Sequence, residues 1–332
     1  MRAALTATDH GIRPGDGRLT VGAFLDEWLE LSVRDRCRPN TFDSYAFFVR
    51  KYLTPALGHV PIAKLGPEHV QRMLTDLTAS GKLSPTTVRY VYSVLRIALS
   101  RALKAGKVVR NVATLVDPPR KARFELAPLS AEQVQAFLED VAADRMGPLY
   151  VAAIGLGMRQ GELLALRWQD VDLEAGTVSV RHTLQRDGRT LAAPKTERAK
   201  RTLRLGGEVL ASLRAHRVRQ LEERMAAGTR WHDEDFVFTT PLGSPLDSRN
   251  VTRAFQAALT RSGLPRQRFH DMRHACATLL LEGGEELGVV SKILGHATLG
   301  TTADVYAHLT PAMSQRVADR MDTVLRRRPA SG

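Results

Sequence analysis

From Thr20 to Gly106, apolar residues recur at helical spacing in four successive runs, and this repetition constrains the fold more than any other feature. Thr20 is placed to cap a first helix on which Phe24, Leu25, Trp28 and Leu31 share one face. Asn40 with Asp43 reads as the start of a second, whose stripe is Tyr45, Phe48, Val49 and Tyr52. Pro67 suits the first turn of a third, which carries Val70, Met73, Leu74 and Leu77 and stops at Gly81. Ser84-Pro85 opens a fourth and longer helix through Val88, Val91, Tyr92, Leu95, Ala98, Leu99 and Leu103 to Gly106. Stripes of this kind bury their apolar faces against one another, so the segment is expected to form a helical bundle.

The periodicity fails between Asn111 and Pro128. There Asp117-Pro118-Pro119, followed by Arg120, Lys121 and Arg123, reads as a basic linker. Ser130 and Gln133 form a capping box that opens a second segment, helical as far as Arg167-Trp168. A β stretch follows at 177–184, with a turn at Asp187-Gly188 and short runs around Leu191 and at 202–205. Helices return from Glu208, with a short strand expected at 236–238. The expected class is mainly α: a helical bundle, then a mostly α domain with one small antiparallel β-sheet. The expected layout is a disordered N-terminus (1–19), the bundle (20–110), a linker (111–128), the second domain (129–327) and a disordered tail (328–332).

A chain of 332 residues, 43% apolar, can bury two ordinary cores. No apolar run approaches a membrane span, and residues 1–19 lack the apolar core of a signal peptide. A soluble cytoplasmic protein is therefore expected, with no membrane partner. Cys37 and Cys276 stand far apart without partners at metal-ligand spacing, which argues against a disulfide framework or a zinc site. The net charge of +13 calls for a polyanionic partner, with nucleic acid first. Both halves of the chain are net basic, so the bundle is expected to share in binding DNA.

Cutting a phosphodiester without a metal requires fixed cationic donors for the charge that builds on phosphorus-bound oxygen, and an acid for the leaving oxygen. Arg159 stands between Gly157 and Gly161, just after an apolar run. His270 and Arg273 are three apart, one helical face, within Phe269-His270-Asp271-Met272-Arg273-His274. Leu294-Gly295-His296 ends a helical stretch, and Tyr306 follows ten residues later, flanked by Thr301, Thr302 and His308. Each feature alone has an ordinary structural reading. Glu162, His274 and His308 are expected to hold structure, and Asp271 and Asp304 either to orient cations or to start helices. No Walker-type phosphate loop is present.

In this order, the motifs at 157–163, Pro194-Lys195-Thr196, 270–274, 294–296 and 301–308 resemble the tyrosine recombinase (phage integrase) family. The preceding bundle is similar to that family's core-type DNA-binding domain. The resemblance implies that Tyr306 attacks the scissile phosphate, forms a 3′-phosphotyrosyl bond and releases a 5′-hydroxyl, and that strand exchange passes through a Holliday junction. It casts His270 as general base, Arg159 and Arg273 as clamps on the non-bridging oxygens and His296 as a further donor. Lys195 would protonate the leaving oxygen. Neither cofactor, metal nor ATP is implied. Arg120, Lys121, Arg198, Lys200 and Arg201 are candidate DNA-phosphate contacts. Expected partners are double-stranded attachment or core sites, three further copies in a homotetramer on DNA, and a directionality factor or a host DNA-bending protein. The amphipathic segment 311–326 is expected to pack on its own domain or on a neighbouring subunit. Many such integrases carry an arm-binding module ahead of the bundle, and residues 1–19 do not supply one. Two alternatives remain at this point: a type IB topoisomerase, and a catalytically inactive DNA-binding relative.

Overall fold

The computed structural model describes residues 18–120, 128–185, 187–193 and 200–295. Lys121, Lys195, Arg198, His296, Tyr306, the segment 311–326 and most of both expected disordered ends lie outside these residues. The chain divides into two compact units, Met1–Glu125 and Leu126–Gly332.

In the first unit Thr20 caps α1 (Val21–Trp28), its hydroxyl accepting from the Ala23 amide. The chain then winds through a π-turn, Leu29–Val33. This wider winding turns Leu29 and Val33 into the core, and Leu31, expected on the buried face, is 71% exposed. Helix α2 (Pro39–Phe48) begins at Pro39 and not at an Asn40 cap. Proline has the helical φ and lacks the amide that a first-turn position leaves unpaired, so it takes that position one residue earlier. A second π-turn, Val49–Leu53, carries α2 into α3 (Thr54–Leu57). Helices α4 (Pro67–Ala79) and α5 (Pro85–Lys104) start at their prolines as expected, and Gly81 and Gly106 follow their ends in the left-handed region.

The residues just after α5, assigned to the linker from the sequence, belong to the bundle. Val112, Ala113 and Val116 are buried in its core. The Asn111 amide donates to the Arg96 carbonyl and to Ser100 Oγ, its oxygen caps the turn Val112–Leu115, and the Tyr92 hydroxyl donates to the Ala113 carbonyl.

In the second unit the Ser130–Gln133 capping box opens α6 (Ala131–Asp140). Helix α7 (Gly147–Leu156) is apolar on nearly every side and is accordingly buried. It is followed by the single-turn α8 (Gln160–Leu164). The β region forms two small antiparallel sheets where one was expected. Strands β1 (Val171–Asp172), β2 (Thr177–Val180) and β5 (Arg201–Arg204) form one, in the order β1-β2-β5; β3 (Thr183–Leu184) and β4 (Leu191–Ala192) form the other. The run read as one strand at 177–184 breaks at Arg181-His182. The unit closes with α9 (Gly207–Ala227), α10 (Ser248–Arg261), α11 (Asp271–Glu282) and α12 (Leu287–Leu294).

The expected strand at 236–238 is buried but makes only an isolated bridge, Arg167 to Phe236. Side chains of α9 take the place of a strand partner: the Gln220 amide donates to the Phe236 and Val237 carbonyls, and His216 Nε2 donates to Val237 O at 2.7 Å. The core is knit by ring contacts in which Phe255 meets Phe137, Tyr150 and Phe269 at centroid distances of 5.8, 5.7 and 5.5 Å. Phe269 is the residue before His270, so the core anchors the start of α11.

Candidate active site

The C-terminal end of α7 meets α11 and α12 at Gly157. Its φ of +57° favours glycine, and a Cβ there would lie 2.5 Å from Leu294 Cδ2 and 3.0 Å from Cys276 Sγ. The close approach brings the Gly157 carbonyl to Arg273, one turn into α11. Arg273 Nη1 donates to Gly157 O at 2.7 Å and Nη2 donates to Leu294 O, the last residue of α12. One guanidinium thus ties three helices together and is 3% exposed. Burial, and after it the charge of Arg159, pushes Arg273 down to about 9, which leaves it charged at neutral pH.

Arg159 is the extended residue at the N-terminus of α8. Its guanidinium is 40% exposed and reaches Glu162 Oε1 at 2.7 Å and Gly295 O at 3.3 Å. Glu162 Oε2 also accepts from the Arg159 amide at 3.1 Å, a capping interaction that sets the backbone as well as the side chain. Glu162 is 3% exposed. Burial by itself would raise its carboxyl; Arg201 and then Arg159 outweigh that and hold it below its ordinary value. The structural role expected of Glu162 is therefore the one its geometry supports.

Arg201 departs from expectation. The sequence makes it a candidate DNA-phosphate contact, whereas its side chain is 8% exposed and binds Glu162 Oε2 at 3.1 Å, while Nε donates to Ile293 O at 2.6 Å. The signal was present in strand alternation: Arg201 shares a face with buried Leu203, and the register sets it opposite buried Val180. Arg120 and Lys200 are exposed.

His270 precedes the first turn of α11, with its ring 5.0 Å from that of His274. Asp271, buried, fixes this corner by accepting from the Arg268 amide at 2.7 Å and from its guanidinium at 2.7 Å. Asp271 therefore both orients a cation and starts the helix. His270 keeps an exposed edge, yet partial removal from water, followed by the charges of His274 and Arg273, pushes it down to about 4. The ring is neutral at physiological pH, as a proton acceptor must be. As pH falls below the ordinary value of 6.5, an unfolded chain takes a proton that the folded ring refuses until about 4; stability is lost across that window and not above it. An NMR titration of the His270 ring in DNA-free protein is expected to give a midpoint well below 6.5, and a midpoint at or above that value would contradict the arrangement.

Arg159, Arg273 and His270 are thus gathered around the Gly157 corner. Two guanidinium groups, those of Arg159 and Arg201, bind the carboxylate of Glu162, whose charge also acts on the nearby Arg273. Such a surplus of positive charge in a partly desolvated site suits a phosphodiester.

Residues 128–313 match the phage integrase family, and residues 20–78 match the N-terminal SAM-like domain of phage integrases. The chain belongs to the phage integrase family. It is a site-specific tyrosine recombinase, an enzyme that transfers DNA strands. Similar proteins of this family include a tyrosine recombinase XerC-like protein of Caldanaerobacter subterraneus subsp. tengcongensis, 30% identical over 92% of this chain and 83% of that one. An integrase of Streptomyces ambofaciens is 30% identical over 99% of this chain and 87% of its own. The fold is shared with the Tn1549 transposon integrase in complex with a circular intermediate DNA (TM-score 0.79, 22% identity, 91% of this chain and 99% of that one). It is shared also with a lambda integrase dimer bound to a core site (TM-score 0.67, 18% identity, 92% and 82%). The mainly α class with small antiparallel sheets agrees with these integrases, and DNA is the partner of this family member. No helix among its described residues is long and apolar enough to cross a membrane.

Proposed function

We propose that this integrase recombines the DNA of a mobile element at short core sites, using Tyr306 as nucleophile and Arg159, Lys195, His270, Arg273 and His296 as its helpers. The observation that carries the reading is the convergence of Arg159, Arg273 and a neutral His270 on one corner of the second unit. Arg159 and Arg273 would hold the non-bridging oxygens, matching the phosphate with their forks of donors. His270 would take the phenolic proton as Tyr306 attacks, and return it on religation. His296 would donate to the same oxygens, and Lys195 would protonate the leaving 5′-oxygen. The 3′-phosphotyrosyl bond conserves the energy of the bond it replaces, so exchange through a Holliday junction proceeds without ATP.

The first unit serves as the core-type DNA-binding domain and the second as the catalytic domain. Support comes from a groove on the first unit lined by Arg36, Arg96, Ile97, Ser100, Arg101 and Lys104. Lys121, Arg120, Arg198 and Lys200 are further phosphate contacts in this reading. The protein works in the bacterial cytoplasm as a tetramer on two core sites, assisted by a directionality factor or a host bending protein. Mobile-element use is supported by the names of relatives, among them the ICEBs1 integrase of Bacillus subtilis, 25% identical over 87% of this chain.

A duplex spanning a candidate core site and nicked beside the scissile phosphate tests the proposal. Cleavage should release a short oligonucleotide and trap a protein–DNA adduct that resists denaturant. Exchange between two duplexes carrying the site, without relaxation of unrelated supercoiled DNA, is the expected companion result. Relaxation without exchange would favour a topoisomerase. Lack of any adduct on the DNA flanking the element would sink the catalytic reading.

A further inference from the structure

The motif set leaves Arg201 unused, and the structure puts it under the active site. It lies six residues after Lys195 in the sequence and opens β5. Its guanidinium spans two elements of the site: Nε donates to the carbonyl of Ile293, near the end of α12, and Nη2 donates to Glu162 Oε2. The other oxygen of that carboxylate holds the guanidinium of Arg159.

We infer that Arg201 is a positioning residue for strand cleavage, which shares the charge of Glu162 with Arg159 and locks β5, α8 and the end of α12 in one frame. This rests on the assignment of Arg159 as a phosphate clamp. A lone buried carboxylate facing Arg159 would form a tight pair and cancel much of the charge that a phosphate is meant to meet. With Arg201 on the same carboxylate, Glu162 still orients Arg159, yet the trio remains net positive. Arg201 also supplies a donor to the Ile293 carbonyl, in the turn that leads to Gly295, whose own carbonyl receives Arg159. Geometry and charge therefore reach Arg159 through the same residue. Held by the Ile293 carbonyl and Glu162, Arg201 is placed to position Arg159 and not to add a phosphate contact of its own.

The test compares full-length wild type with Arg201→Gln, Arg201→Lys, Glu162→Gln and the Arg201→Gln/Glu162→Gln double variant. Core-site affinity is measured over a range of salt, and single-turnover cleavage on the nicked duplex. Arg201→Gln should bind within about twofold of wild type with an unchanged salt slope, since losing a true phosphate contact lowers that slope by about one. Its cleavage rate should fall on the order of 10²-fold, the scale of a misplaced reacting group. Arg201→Lys, which keeps the charge but not the fork, should recover part of the rate. The double variant should cleave faster than Arg201→Gln, because removing the unshared carboxylate frees Arg159.

A merely structural role predicts a double variant no faster than Arg201→Gln, with melting temperature falling in step with activity, and would overturn the inference. So would weaker binding with a shallower salt slope, which would make Arg201 a DNA contact after all. If Arg201→Gln does not fold, Arg201→Lys decides: cleavage below wild type with an unchanged salt slope and melting temperature supports the inference, and a rate that falls only in step with melting temperature overturns it. Wild type that forms no adduct would count against the proposed function, whereas wild type and Arg201→Gln cleaving equally would count against this inference alone.

Discussion

Replacing Tyr306 with Phe is expected to abolish the covalent protein–DNA adduct while leaving core-site affinity within about twofold of wild type. The change removes one oxygen. If that oxygen is the nucleophile, no covalent bond to DNA can form, and no other group can restore it. The phenol contributes little to binding, because affinity for DNA comes mainly from neutralised phosphates spread over the duplex. An ordinary phenol titrates near 10, so attack at neutral pH depends on loss of the proton during the step and on cations that favour the product charge. The adduct assay and a salt-dependent binding curve, run on the same protein, separate the two effects. Residual adduct at even a few per cent of wild type would transfer the nucleophile to another side chain.

Arg273→Ala is expected to lower cleavage on the nicked duplex by roughly 10²–10³-fold, the measured scale for removing one fixed donor to a developing oxyanion. Two of the five donors of this guanidinium hold the Gly157 and Leu294 carbonyls, and these bonds aim the group. The stability effect has two opposed parts. Removing a desolvated cation relieves strain, while two carbonyls at a helix junction lose their partner, at about 1–3 kcal/mol for each buried group left unpaired. The melting temperature is thus expected to move far less than the rate. Arg273→Lys should restore charge but little activity, since one ammonium cannot span both carbonyls and a phosphate. Full activity in Arg273→Ala, measured in single turnover, would remove Arg273 from the clamp.

Much of this molecule was legible from local patterns. Thr20, Pro67, Pro85 and the Ser130–Gln133 pair start helices where cap chemistry places them, and Gly81 and Gly106 follow helix ends. These signals depend on a few neighbouring atoms, so they survive without knowledge of the fold. Errors arose where distant residues intervened. Leu31 turned outward because the π-turn at Leu29–Val33 shifted the phase of the buried face. Residues 236–238 found hydrogen-bond partners in side chains of α9 instead of a neighbouring strand.

The site divides in the same manner. The sequence alone pointed by motif to Arg159, His270 and Arg273 and to a DNA strand-transferring enzyme, and the family comparisons agree with that activity. Only the tertiary structure decided that Arg273 is aimed by the carbonyls of Gly157 and Leu294, or that Arg201 turns inward to Glu162. The reason is physical. Residue order sets what a side chain can donate, but its charge state and direction depend on burial and on partners up to 136 residues away.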